Sequence, residues 1–137
     1  MPPVDPADAA ERHGLALPPG TFLGRQYEIE RLLGQPGGFG VTYLARDHYL
    51  DCAVAIKEYL PRELAGRGTG RRSVVPHSAG DRQPFAYGLE RFLDEARILA
   101  RLDHPHVIRV RSFFEAHGTA YLVMDYWRGH TLAEAMR

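Results

Sequence analysis

Alternation of apolar and polar positions starts at Tyr27. In residues 27–33 (YEIERLL), Tyr27 and Ile29 fall on one face and Glu28 and Glu30 on the other, the two-residue period of a strand. Residues 41–47 (VTYLARD) and 52–60 (CAVAIKEYL) are β-branched and aromatic and predict two more strands, joined by a turn at DHYLD. Three strands with short connections make an antiparallel meander. The period then changes. In residues 89–102 (LERFLDEARILARL), Leu89, Phe92, Ala96 and Leu99 recur at intervals of three and four, which predicts a helix with one apolar stripe. Pro105 disfavours helical geometry at His104 and ends it. Residues 107–114 (VIRVRSFF) and 119–126 (TAYLVMDY) predict two further strands around a turn at His117 and Gly118. The pattern therefore predicts an α+β fold: a five-stranded antiparallel sheet with one main helix packed on it.

Three stretches lie outside this pattern. Residues 1–20 are rich in Pro and Ala without a sustained period and predict a disordered lead-in, leaving 21–137 as the folded domain. Residues 61–88 are full of Gly, Pro and Ser and predict an irregular excursion, in which Arg67, Arg71 and Arg72 read as a solvated basic loop. At the other end, Thr131 followed by Glu134 is a capping-box signature. The helix it announces has room for only about one and a half turns before Arg137, as expected of a chain cut short.

Composition narrows the functional classes. A length of 137 residues suits one domain. Net charge is zero, so no global field favours nucleic acid or an anionic membrane. No apolar run is long enough to span a bilayer, and the N-terminus lacks the charged head and apolar stretch of a secretory signal. Cys52 is the only cysteine, which excludes an internal disulfide, fits a reducing, cytoplasmic compartment, and reads as a small apolar filler. One bias stands out: Lys57 is the only lysine among 17 basic residues.

The glycines supply the candidate chemistry. Gly34, Gly37, Gly38 and Gly40 fall within seven residues between two strands. Such density is costly unless the backbone bends sharply or something approaches it closely. A dinucleotide fingerprint needs a helix after the glycines, and here a strand follows. A Walker A loop needs a lysine directly after them, and none lies near Gly40. What remains is a strand–glycine loop–strand hairpin over a nucleotide, with a lysine on the next strand. Val54-Ala55-Ile56-Lys57 provides it. Alternation puts Ala55 and Lys57 on one face, where a small Ala leaves room for a flat adenine and the ammonium reaches phosphate oxygens. Such an ammonium needs an anion to hold it. Glu95 on the helix is the candidate; Asp94 is shorter and points about 100° further round.

The motifs GGFGVTYLA, VAIKEYLP, FLDEARILARLDHPHVIRV and YLVMDYWRGHTL, in this order across residues 21–137, resemble the N-terminal lobe of the protein kinase family, bacterial serine/threonine kinases above all. The resemblance implies ATP as substrate and phosphoryl transfer to protein Ser or Thr in a complete enzyme. It implies that Gly34, Gly37, Gly38, Phe39 and Gly40 form the phosphate-covering loop. Lys57 then binds the α- and β-phosphates and pairs with Glu95. Leu33, Thr42 and Ala55 roof the adenine, and Met124 is the gatekeeper beside it. The hinge runs from Asp125 to Trp127, with the Asp125 carbonyl and the Trp127 N–H facing the adenine edge. His104 and His106 match a helix-to-strand corner rather than metal ligands.

Two departures qualify this reading. Gly34-Gln35-Pro36-Gly37 has one residue more than the strict spacing, and Pro36 offers no N–H to a phosphate. No His-Arg-Asp and no Asp-Phe-Gly occurs in the chain, so the family's Mg²⁺ ligands and the group that orients the substrate hydroxyl are missing. The 137 residues are therefore expected to hold ATP poorly and to be inactive alone, with Mg²⁺ used only by a complete enzyme. The alternative reading is a free-standing, non-catalytic module that docks on a kinase and regulates it.

Overall fold

In a computed structural model, residues 15–33, 40–68, 72–102 and 109–126 are described. Eight strands and one long helix follow in order. They are β1 (Phe22–Leu23), β2 (Tyr27–Leu32), β3 (Gly40–Asp47), β4 (Cys52–Tyr59), β5 (Ala65–Arg67), β6 (Val74–Pro76), α1 (Arg82–Arg101), β7 (Val110–Ala116) and β8 (Thr119–Asp125). The main sheet is antiparallel with strand order β1-β2-β3-β4-β8-β7. The expected α+β architecture is present, and the two-residue β1 makes six strands where five were expected.

The sheet curls. The Tyr27 ring on β2 stacks on Phe114 of β7, with centroids 5.9 Å apart, and its hydroxyl lies 3.4 Å from Ser112 Oγ. Strands far apart in the sheet order thus meet, and the face between them closes over Ile29, Tyr43, Val54, Ile56 and Val123, all essentially without solvent exposure. A bulge between Ile29 and Arg31 lets β2 keep Leu32 buried, interrupting the simple alternation of the sequence. In the β3–β4 turn, Asp47 Oδ1 accepts the N–H groups of Tyr49 at 2.9 Å and Leu50 at 3.2 Å, which accounts for a buried carboxylate at a strand end.

Other expectations are corrected. Residues 61–88 are not an irregular excursion: β5 and β6 form a two-stranded ribbon and α1 begins at Arg82, seven residues before the expected start. Pro84 and Gly88 masked that start, yet Pro in a first turn leaves no helical bond unmade. Arg67 is not solvated; its side chain is 5% exposed. The lead-in divides: residues 1–14 lie outside the described residues, while Leu17 is 1% exposed and packs in the core. The helix announced at Thr131 and the corner at His104 and His106 also lie outside the described residues. Among the described residues no helix is long and apolar enough to cross a membrane.

Candidate functional site

Strand register decides which residues share the face that carries Lys57. Thr42 and Leu122 flank Lys57 on either side, and Leu44 and Met124 flank Ala55 in the same way. Directly opposed residues of antiparallel strands point to the same face. Thr42, Ala55, Lys57 and Met124 therefore lie on one surface, with Ala55 and Met124 buried and Thr42 and Lys57 half-buried. Leu33 adjoins them through its N–H, which donates to the Thr42 carbonyl at 2.8 Å. Gly40 opens β3 opposite Tyr59. A Cβ there would lie 3.0 Å from Lys57 Cε and 3.0 Å from the Glu58 carbonyl, so a larger residue would press on the lysine stem and on the β4 backbone.

α1 packs on this same face. Tyr59, two residues beyond Lys57, sets its ring 5.1 Å from Phe85 and 5.6 Å from Phe92 of the helix. Its hydroxyl donates to the Phe85 carbonyl at 2.9 Å. Between β4 and α1 lies a cavity of about 430 Å³ lined by Lys57 and Glu95, with Tyr59, Gly88, Arg91 and Phe92 among its walls. Asp94 is elsewhere: its carboxylate accepts from Arg97 Nη1 at 2.8 Å. Among the described residues no ion pair joins Lys57 to Glu95, so the two share a chamber without touching.

Asp125 turns its side chain the other way. It pairs with Val54 at the end of β8, and its carboxylate lies 3.5 Å from Arg111 Nη1 on the far face of the sheet. Only its backbone is available on the Lys57 side. Gly34, Gly37, Gly38, Phe39 and Trp127 lie outside the described residues.

The sequence reading missed the strongest electrostatic feature, which is directly behind Lys57. Glu58 is fully buried on the opposite face of β4. Its Oε1 accepts from the Tyr43 hydroxyl at 2.7 Å and Arg67 Nη2 at 2.6 Å; its Oε2 accepts from the Tyr121 hydroxyl at 2.7 Å and Arg67 Nη1 at 2.8 Å. Since Tyr121 donates to Glu58, its oxygen is left to accept from His117 Nδ1, 2.9 Å away. Arg67 also donates to the Leu15 carbonyl from Nη2 at 2.7 Å. The network ties the ribbon, the N-terminal segment and the β7–β8 hairpin to the strand of Lys57. A signal existed: Glu58 continues the alternation of Val54 and Ile56, so the sequence places it on an apolar face, where a carboxylate needs partners.

Burial, then the Glu58 charge, push the Tyr43 and Tyr121 hydroxyls far above the usual phenol range. In Arg67 burial opposes the charge, but the Glu58 bonds outweigh it and raise the guanidinium further. The tyrosines carry a pH consequence. They stay protonated while the chain is folded, whereas an unfolded tyrosine ionises near ~10. Above that pH the folded state holds more protons than the unfolded one, so stability falls as pH rises. In an alkaline titration, phenolate absorbance from at least two of the seven tyrosines is expected to appear only together with loss of far-UV ellipticity; full ionisation of a folded chain contradicts the network.

Comparison with known proteins is consistent with this geometry. Residues 27–137 match the protein kinase domain family. The chain is 30% identical over 115 residues to the serine/threonine-protein kinase PrkC of Bacillus subtilis (strain 168), covering 84% of the chain and 15% of that protein. It is 31% identical over 122 residues to the serine/threonine-protein kinase pkn2 of Myxococcus xanthus, covering 89% of the chain and 12% of that protein. Among solved structures, the apo form of PpkA-294 superposes with a TM-score of 0.79 at 40% identity, over 86% of this chain and 41% of that one. The chain thus spans a small part of the curated relatives it matches. With the family match over most of its length, and a lone lysine and a helix carboxylate facing one cavity, the chain belongs to the protein kinase family.

Proposed function

We propose that these residues form the ATP-binding lobe of a serine/threonine protein kinase of the cytoplasm, which transfers the γ-phosphoryl group of ATP to protein Ser or Thr in the complete enzyme. The observation that carries this reading is the shared cavity of Lys57 and Glu95, on the sheet face that also bears Ala55 and Met124. Lys57 grips the α- and β-phosphates as a compact point charge. Glu95 holds that ammonium when it closes on it. Ala55, with Leu33 and Thr42 beside it, leaves a flat apolar roof for adenine, and Met124 bounds its depth. The loop of Gly34, Gly37, Gly38, Phe39 and Gly40 covers the phosphates, and the backbone of Asp125 and Trp127 meets the adenine edge. Mg²⁺ would supply charge neutralisation to the phosphates in this chemistry, and its ligands would come from outside these residues.

Phosphoryl transfer depends on positioning from both sides of the nucleotide. The 137 residues supply one side, so they bind ATP weakly and transfer no phosphate alone. The test is a fluorescence titration of the chain with mant-ATP. Lys57→Ala is expected to weaken binding by about ten-fold or more, since a charge-assisted bond contributes roughly 1.5–3 kcal/mol. Unchanged affinity in Lys57→Ala refutes the phosphate role. Radiolabelled transfer to a generic protein by the chain alone, lost in Lys57→Ala, refutes its inactivity.

A further inference from the structure

Gly88 lies within α1 about two turns before Glu95, at a mid-helix position where alanine would be favoured over glycine by about 1 kcal/mol. Across from it stands Tyr59, on the same face of β4 as Lys57. A Cβ at residue 88 would overlap the Tyr59 hydroxyl oxygen and lie 3.1 Å from its Cζ and 3.4 Å from its Cε1. The ring has little room to swing aside. It is wedged between Phe85 and Phe92, its hydroxyl is bonded to the Phe85 carbonyl, and the residue is 3% exposed. A methyl group at residue 88 therefore has to break the Tyr59–Phe85 bond and displace the ring, or lift the helix.

We infer that the Tyr59–Gly88 contact is a spacer that sets the height of α1 over β4, and with it the reach between Lys57 and Glu95. Both residues line the cavity that Lys57 and Glu95 share. On β4 the spacer tyrosine is two residues from Lys57, and on α1 the glycine is two turns before Glu95, so the contact fixes the separation of the two elements close beside the pair. Tyr59 and Gly88 are thus positioning residues, acting through the helix and not on the nucleotide. This inference rests on the nucleotide reading of Lys57 and Glu95 for its functional consequence, but its structural content stands apart from that reading.

The test measures the effect of Gly88→Ala in three backgrounds of the 137-residue chain, by mant-ATP titration and thermal unfolding. With Tyr59 present, Gly88→Ala is expected to weaken mant-ATP binding several-fold and to lower Tm. In Tyr59→Phe, which lacks the overlapping oxygen, the new methyl meets only ring carbons at 3.1 and 3.4 Å, so the same change should weaken binding and lower Tm clearly less than in the parent chain, the helix preference for alanine offsetting the remaining contact. In Lys57→Ala, Gly88→Ala should alter affinity no further. Equal effects of Gly88→Ala in the parent chain and in Tyr59→Phe overturn the inference. A rescue of Tm without any rescue of affinity overturns the link to the nucleotide pair. If the parent chain binds no mant-ATP, or Lys57→Ala binds as well as the parent, the nucleotide reading fails. The spacer is then decided by Tm alone, upheld by a background-dependent effect and overturned by an equal one.

Discussion

Arg67→Ala is expected to lower the free energy of unfolding by about 3–5 kcal/mol, the usual consequence of leaving a buried carboxylate without its cation. For a domain of this size that corresponds to a fall in Tm on the order of 10–20 °C. The reasons lie in the geometry. Glu58 has no solvent exposure, and Arg67 supplies two of the four hydrogen bonds its carboxylate accepts. Arg67 also serves the Leu15 and Arg72 carbonyls, at 2.7 Å and 3.1 Å. Removing both charges with Glu58→Leu and Arg67→Leu should cost less than the sum of the single changes, since neither residue is then left charged and alone. It should not be neutral, because the Tyr43 and Tyr121 hydroxyls and the Leu15 carbonyl lose their partners. Urea unfolding followed by circular dichroism reads both quantities. A loss below about 1 kcal/mol for Arg67→Ala would mean that the pair behaves as a surface ion pair and that the buried network is wrong.

Leu17→Ala should be nearly as damaging, at about 3 kcal/mol, by loss of buried methyl groups and the void left behind. Leu17 is 1% exposed, and its N–H donates to the Tyr43 hydroxyl at 3.0 Å. The family match begins only at residue 27, so this leucine belongs to a segment the family pattern does not require. Its neighbour Leu15 is held by Arg67, which couples the segment to the back of the Lys57 strand. A chain trimmed to begin at residue 24 is expected to show the same loss of stability as Leu17→Ala or a greater one. Unchanged urea unfolding in either variant would show that residues 15–23 lie on the sheet without supporting it.

Much of the fold was legible because its signals are local. Periods of two and of three to four residues located β2, β3, β4, β7, β8 and the C-terminal part of α1, and the turn at His117 and Gly118 lies where the glycine marks it. The face of Lys57 was equally legible, since alternation along one strand fixes Ala55 and Lys57 together whatever they pack against. Illegible parts depend on partners distant in sequence. The ribbon of β5 and β6 has strands of three residues each, too short for any period, and it holds because Arg67 finds Glu58 and the Val74 N–H finds the His117 carbonyl at 2.8 Å. The early start of helix α1 is a different case: Phe85 continues the stripe of Leu89, Phe92 and Ala96 by one more turn and packs on Tyr59, but Pro84 and Gly88 beside it read as loop residues.

The sequence by itself determined a chain with an antiparallel meander, one amphipathic helix and a single lysine on the second strand after a cluster of glycines. These follow from side-chain alternation and backbone permissiveness, which act over a few residues. The choice of Glu95 over Asp94 also followed from helix angle, but only the tertiary structure decided that Glu95 shares a chamber with Lys57 without an ion pair to it, and that Glu58 and Arg67 meet behind it. It also decided that Tyr59 stands against Gly88 between the strand and the helix. Each of these is a matter of distance between elements, and distance between elements is fixed by packing and by the need of buried charges for partners, neither of which a local pattern contains.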